Sequence, residues 1–416
     1  MAININAKTS GVGGLETTAD NTGNINIQSG GSTVMSVTSS GVAVTGSFSQ
    51  NGAVYSTQPS FRNLIINGDM RIAQRGTSET GLGVTVKYAN APDRVKWVGL
   101  GSGTYAFTAS QDTDVPSGQG FANSYKVDNT TAQASLSADA ALFLSISSME
   151  GQNLQQLKKG TANAESLTAS FWVKSNKTGT YICELYDADN IRHICSAYTI
   201  SSANTWEKKT ITFAGDTTGA FDNDNARSFE FITWLAAGSN YTSGTLATSW
   251  ASLTAANRAV GQTNLADSTS NYINITGVQL EAGSTATDFE NLPYDIELAR
   301  CQRYYFYLDN QGGVTNQVIN AGFMYDTTRG RFFVTFPTTM RTNPTIVSTN
   351  ITSSIEFNLN GTGVFAPSAV LPFGASVSVN GVLLQGTADS GTGSAGESRY
   401  VRIAESGAKI EFDAEL

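Results

Sequence analysis

Charge, histidine, cysteine and proline are all scarce in this sequence, and each shortage closes off a class of function. Asp, Glu, Lys and Arg supply 14% of 416 residues, against about 25% in an ordinary soluble domain. The net charge is −9. A nucleic-acid site needs a positive field that such a chain lacks, so nucleic acid is not an expected partner. One histidine, His193, and three scattered cysteines, Cys183, Cys195 and Cys301, give no zinc-ligand spacing. Three is also too few and too odd for a disulfide framework. Cys183 and Cys195 flank an expected hairpin turn, where a bridge is geometrically conceivable and two buried apolar thiols are the favoured state. No run approaches the ~18 apolar residues of a membrane span, so no membrane insertion is expected. The opening MAININAKTSGVGG shows no positive stretch followed by an apolar core, which leads us to expect cytoplasmic synthesis without a secretory leader.

What fills the chain instead is short alternation. Runs rich in Val, Ile, Thr, Tyr and Phe are punctuated by Gly, Asn, Asp and Ser, the pattern of antiparallel strands. With 41 Gly against 8 Pro, turns fall to residues that tolerate positive φ, as tight hairpins require. The fold class is therefore all-β. Residues 1–58 read as an N-terminal β-stalk of small alternating side chains, too thin to bury much area alone at ~25 cal/mol per Å². Three copies wound about one axis would cover the apolar stripes and the open edges. A Gly/Ser/Thr linker is the competing reading. Residues 59–291 read as a jelly-roll β-sandwich, with a strand expected over 63–70 and a long irregular insertion over 237–267. Residues 292–304 read as a short helical connector, Ile296, Ala299, Arg300 and Arg303 following helical spacing. Residues 305–416 return to alternation as a smaller C-terminal β-sandwich domain.

Candidate chemistry is sparse. A Ser–His–Asp triad would have to use His193, which has no nucleophile motif beside it. Glycan cleavage needs only two carboxylates, and 34 acidic residues make some such pair inevitable without pointing to one. No catalytic residue is assigned, and the chain is read as a non-enzyme. Asp187, Asp189 and Asn190, and Asp222 to Asn225, are oxygen-rich runs from which Asp187, Asp189, Asp222 and Asp224 could serve a structural Ca²⁺. Neither is an EF-hand loop, and turn formation is their competing use. No cofactor is expected. Trp97, Trp172 and Trp206 sit in or beside strands and read as core. Trp234, Tyr241 and Trp250 border or occupy the insertion and are the ligand-contact candidates, because an aromatic plane covers the C–H face of a sugar while amides and carboxylates bind its hydroxyls.

Three blocks carry a likeness: FRNLIINGDMRIAQRGTS (61–78), ADSTSNYINITGVQLEAGSTATDFENLPYDIELARCQRYY (266–305) and RFFVTFPTTMRTNPTI (331–346). In order and spacing they resemble the blocks of phage tail-fibre and virion-appendage proteins, in which a carbohydrate-binding-module-like jelly-roll precedes a terminal β-domain. The resemblance implies a virion location after assembly in the host cytoplasm, a homotrimer, contact with other virion proteins through residues 1–58, and attachment to host-surface polysaccharide as a tail fibre or receptor-binding protein. A capsid decoration, head-fibre, adaptor or collar role is the alternative, and a polysaccharide depolymerase a further one. It also implies that Asn67, Gly68 and Arg75 serve turn and packing roles, with Glu281 and Phe289 at a strand exit.

Overall fold

The computed structural model describes residues 2–7, 15–20, 25–29, 32–38, 41–44, 48–50, 53–55, 61–309, 317–349, 355–359, 363–365, 369–372, 376–387, 393–403 and 408–416. Strands dominate, as the alternation requires. The chain parts into two compact units, Met1–Arg62 and Asn63–Leu416. In the first, a five-stranded sheet runs in the order Leu15–Asp20, Ala2–Ala7, Ile25–Ser29, Ser32–Thr38, Gly41–Val44. One pair is parallel, Ala2–Ala7 with Ile25–Ser29, and the rest are antiparallel. These strands thus pair within one chain, where single strands wound on partner chains were expected. Of the apolar side chains described there, Ile25 is exposed, and Ile27, Val34, Met35 and Val37 are partly buried.

The second unit holds the main sandwich. One sheet runs Ala251–Ser252, Arg192–Ile200, Gly179–Asp187, Arg227–Ala237, Ala141–Glu150, Val95–Leu100, Val86–Tyr88. The other runs Glu207–Phe213, Leu167–Ser175, Tyr272–Ala282, Ser124–Thr131, Ala106–Asp112, Ser78–Leu82. Every pairing in them is antiparallel. Period-two alternation sends Leu167, Ala169, Phe171 and Val173 of one strand inward against Tyr181, Leu185, Phe229 and Phe231 of the facing sheet. Each such side chain contributes about 1.5–3 kcal/mol on burial.

The segment 63–70 forms no strand. Two backbone bonds tie it to the strand Tyr272–Ala282, Leu64 N to Leu280 O and Val278 N to Gly68 O, both at 2.9 Å, and a side-chain amide adds to them: Asn63 Oδ1 accepts from the amides of Ile65 (3.0 Å) and Leu280 (3.0 Å), and Asn63 Nδ2 donates to Val278 O at 3.1 Å. Asn67, at φ 61°, donates from Nδ2 to the carbonyls of Ile72 and Asp93, both at 2.9 Å. Gly68 packs so close to this sheet that a Cβ there would lie 2.1 Å from Val278 O.

A helix, Tyr294–Gln302, leads to the C-terminal sheets. Three strands, Tyr305–Leu308, Lys409–Asp413 and Thr345–Thr349, face a seven-stranded sheet ordered Gly363–Phe365, Ile355–Leu359, Ser398–Ile403, Gln317–Met324, Arg329–Thr335, Gly381–Thr387, Ala369–Pro372. Phe332, Phe357, Val401, Ile410 and Phe412 make their shared core. This part is bound to the main sandwich by buried charge. Arg94 pairs with Glu415 and lies 3.5 Å over the Tyr304 ring; Arg75 reaches Asp413 at 2.8 Å and lies 3.7 Å over Tyr305. Arg303 holds Glu150 at 2.6 Å, and Arg341 donates to Asn225 O at 3.0 Å. Among the described residues no helix is long and apolar enough to cross a membrane.

Candidate functional site

The two outer faces of the main sandwich differ. On the seven-stranded sheet, the insertion after Ala237 folds back as a cap. Tyr241, Leu246, Ala247 and Ala259 pack on Val98, Phe143, Ile182, Cys195, Ile232 and Trp234. Trp234 is fully buried there, its Nε1 donating to Glu184 Oε2 at 2.9 Å and its ring 5.6 Å from that of Tyr241. Two of the three sequence-derived contact candidates, Trp234 and Tyr241, are therefore the seam between cap and sheet. The insertion is irregular because its backbone only has to cover an apolar face.

Beneath the cap lies the one histidine. His193 Nδ1 is 3.1 Å from Glu184 Oε1 and 3.7 Å from Cys195 Sγ, and Arg258 Nε donates to both Glu184 oxygens at 2.9 and 3.1 Å. Glu184, His193 and Cys195 are the set among the described residues whose ligand atoms could close on a metal ion. Arg258 already supplies the positive charge that a cation would bring. Burial and the Glu184 charge push the Cys195 thiol up, away from the thiolate that a metal needs. For Glu184, burial raises the pKa, but the Arg258 charge and the bonds from His193 and Arg258 outweigh it and hold the carboxyl below its usual range. The cluster is a closed ion-pair network. All three cysteines are free and buried. Cys183 and Cys195 take opposite faces of their sheet, because Cys183 stands across from Ser196 and Cys195 from Glu184.

Trp250 reaches a different place. It walls a shallow pocket with Leu157, Lys159, Asp216, Phe221 and Phe229. Its Nε1 donates to Ala214 O at 2.7 Å, and its ring stacks on Phe229 at 6.2 Å. Lys159 in this pocket is held by Asp187 at 2.5 Å and Asp216 at 3.1 Å. That contact also places the proposed oxygen ligands. Asp187 faces an ammonium group, Asp189 Oδ2 accepts the Asp222 amide at 3.0 Å, and Asp224 Oδ1 accepts the Ala226 amide at 2.8 Å. The two Asp runs do meet, through amide–carboxylate bonds.

The six-stranded sheet presents the other outer face, and here the structure corrects the reading of Trp172 as core. Phe171 and Val173 point inward, so Trp172 between them must point out, with Lys174. In register, Trp172 lies between Lys208 and Thr276, and Lys174 lies beside Asn274, which faces Lys126 on the next strand. Trp206 sits at the rim, its Nε1 donating to Asp114 Oδ1 at 3.0 Å, while Lys174 holds Asp114 Oδ2 at 2.6 Å. Lys126 pairs with Asp128 at 2.9 Å, stands 3.8 Å from Asp112, and lies 5.4 Å over the Tyr272 ring. Tyr272 OH donates to Asn204 Oδ1 at 2.6 Å. Burial tends to raise the pKa of Asp114, but the bonds from Lys174 and Trp206 win and lower it. Burial tends to lower that of Lys126, but the bond and charge of Asp128 win and raise it.

The rest of this face is roofed. Phe121, from the loop after Asp112, lies over Gly277 and meets Phe289 edge to face at 5.1 Å, and Asn123 O accepts from Thr276 Oγ1 at 2.7 Å. The open part is a strip with two half-exposed tryptophans, Trp172 and Trp206, one tyrosine, and a belt of carboxylates, ammonium groups and amides. Such a strip can take the apolar face of a ring and bind the groups around its rim. Sequence reasoning missed it, although the phase of Trp172 against Phe171 and Val173 was a sufficient signal.

The chain is thus an all-β protein whose sandwich carries one capped face and one partly open polar-aromatic face. No family model matches it, and no curated protein does. Among solved structures it is similar to the enzymatically active domain of bacteriophage CBA120 tailspike protein 4, at 14% identity and a TM-score of 0.28, over 53% of this chain and 21% of that one. The chain therefore spans about a fifth of that tailspike chain. It is also similar to the family 11 carbohydrate-binding module of a Clostridium thermocellum cellulosomal cellulase, at 13% identity and 0.24, over 46% and 89%. The N-terminal tandem CBM22 domain of Paenibacillus barcinonensis Xyn10C aligns at 10% identity and 0.25, over 87% and 100%. At such scores none of these bears on what this chain does.

Proposed function

We propose that this chain is a structural protein of a phage particle, a tail fibre or receptor-binding protein, which attaches to host-surface glycan by the open face of its six-stranded sheet and does not cleave it. The observation that carries the reading is Trp172, turned outward from a core strand into a strip of carboxylates, amides and ammonium groups. The lone histidine gives no support to a hydrolytic role, since it is sealed under the cap. A homotrimer fits the N-terminal sheet, whose described apolar side chains are only partly covered within one chain. Three weak sites then act together as avidity. An adaptor or capsid decoration without receptor role is a second reading, favoured by Phe323, Tyr325 and Phe333, which stand 41–53% exposed on the C-terminal sheet and suit contact with another protein.

The test is binding of purified full chain to host cells and their isolated polysaccharide, beside Trp172→Ala. Expected are retention by the wild type, about tenfold weaker retention by the variant, and no new reducing ends. Equal retention of both would remove the proposed face. Immunogold labelling of intact particles places the chain on or off the virion.

A further inference from the structure

We infer that the ligand of this open face is an uncharged polysaccharide; this deepens, and rests on, the glycan-binding reading above. The face is balanced within itself. Lys126, Lys174 and Lys208 stand on it with Asp112, Asp114 and Asp128, three cations to three anions. Lys126 and Lys174 are already engaged, at 2.9 and 2.6 Å from their aspartates. To reach Lys126 or Lys174, a uronate, sialate or phosphate would have to break one of these pairs, and would then meet the released carboxylate beside it. The field of the whole chain, at −9, also repels a polyanion before contact.

Trp172 and Trp206 complete the match, since a neutral pyranose offers C–H bonds to an indole plane without charge to desolvate.

The experiment is retention of the full chain on immobilised bacterial surface polysaccharides, sorted by presence or absence of uronate, sialate or phosphate, at 50 and 500 mM NaCl, with Trp172→Ala as control. Expected is retention by uncharged polymers, changing less than about twofold across that salt range and falling about tenfold in the variant. Retention confined to anionic polymers, lost at high salt and lost in Trp172→Ala, would overturn the inference while leaving the binding face in place. If no polymer is retained, or the variant binds as the wild type does, the glycan-binding reading itself fails and this inference with it.

Discussion

Trp172 and Trp234 belong to the same sandwich, yet one is half-exposed and the other sealed, and their substitutions should separate cleanly. Trp172→Ala is expected to weaken polysaccharide retention about tenfold while its thermal midpoint stays within about 2 °C, because a surface truncation costs little stability. Trp234→Ala should do the reverse, costing about 3–5 kcal/mol in chemical denaturation without altering retention by the protein that stays folded. Glu184 gives the acid limb. Its folded pKa lies below its usual 4.5, so the stability it adds is present above 4.5 and is lost as pH falls through the folded value. Glu184→Gln should flatten the fall of the midpoint between pH 6 and 3, and should cost about 3–5 kcal/mol at pH 7, since it leaves Arg258 buried without its counter-charge. A midpoint whose pH dependence is unchanged in the variant would place the acid-sensitive group elsewhere.

At the scale of elements, most strands were legible because alternation is a local property. The outward phase of Trp172 was written in the same nine residues, LTASFWVKS, and was obscured by reading Trp97, Trp172 and Trp206 alike as core. The segment 63–70 was misread for another reason. Its run Leu64-Ile65-Ile66 reads as a short buried strand, but Asn63 and Asn67 bond to backbone groups more than 200 and up to 26 residues away respectively, and no local pattern encodes that. The cap over Trp234 was likewise invisible, since an irregular covering segment needs only the right apolar contacts and no period. Gly68 is the sharpest case. It was read as a packing residue from the resemblance, and its backbone lies against Val278 O, which cannot move aside. Gly68→Ala is therefore expected to cost about 2–4 kcal/mol, measured by denaturant unfolding; a loss below about 0.5 kcal/mol would show that the segment shifts freely.

For the whole molecule, the charge network joining the main sandwich to the C-terminal sheets matters more than either core alone. Calorimetry should give one cooperative transition for residues 63–416, and Arg94→Ala, which leaves Glu415 only the longer pair with Arg75 at 3.5 Å, should lower that transition or split it in two. An unshifted single transition would mean that the network contributes nothing to coupling. Sedimentation at micromolar concentration checks the trimer, which a monomer there would rule out. The arginines at the centre of this network also set a clock. Arg94 and Glu415 are separated by 321 residues, so a ribosome adding about 5–20 residues per second needs roughly 16–64 s to bring the second after the first. For that interval two guanidinium groups destined for burial, Arg75 and Arg94, lack their carboxylates, and Arg94 has the Ser148 carbonyl instead. The sandwich is thus a late-maturing object whose last fastening arrives long after its strands, and a nascent chain stalled in that window is the form most open to capture by a chaperone or a protease.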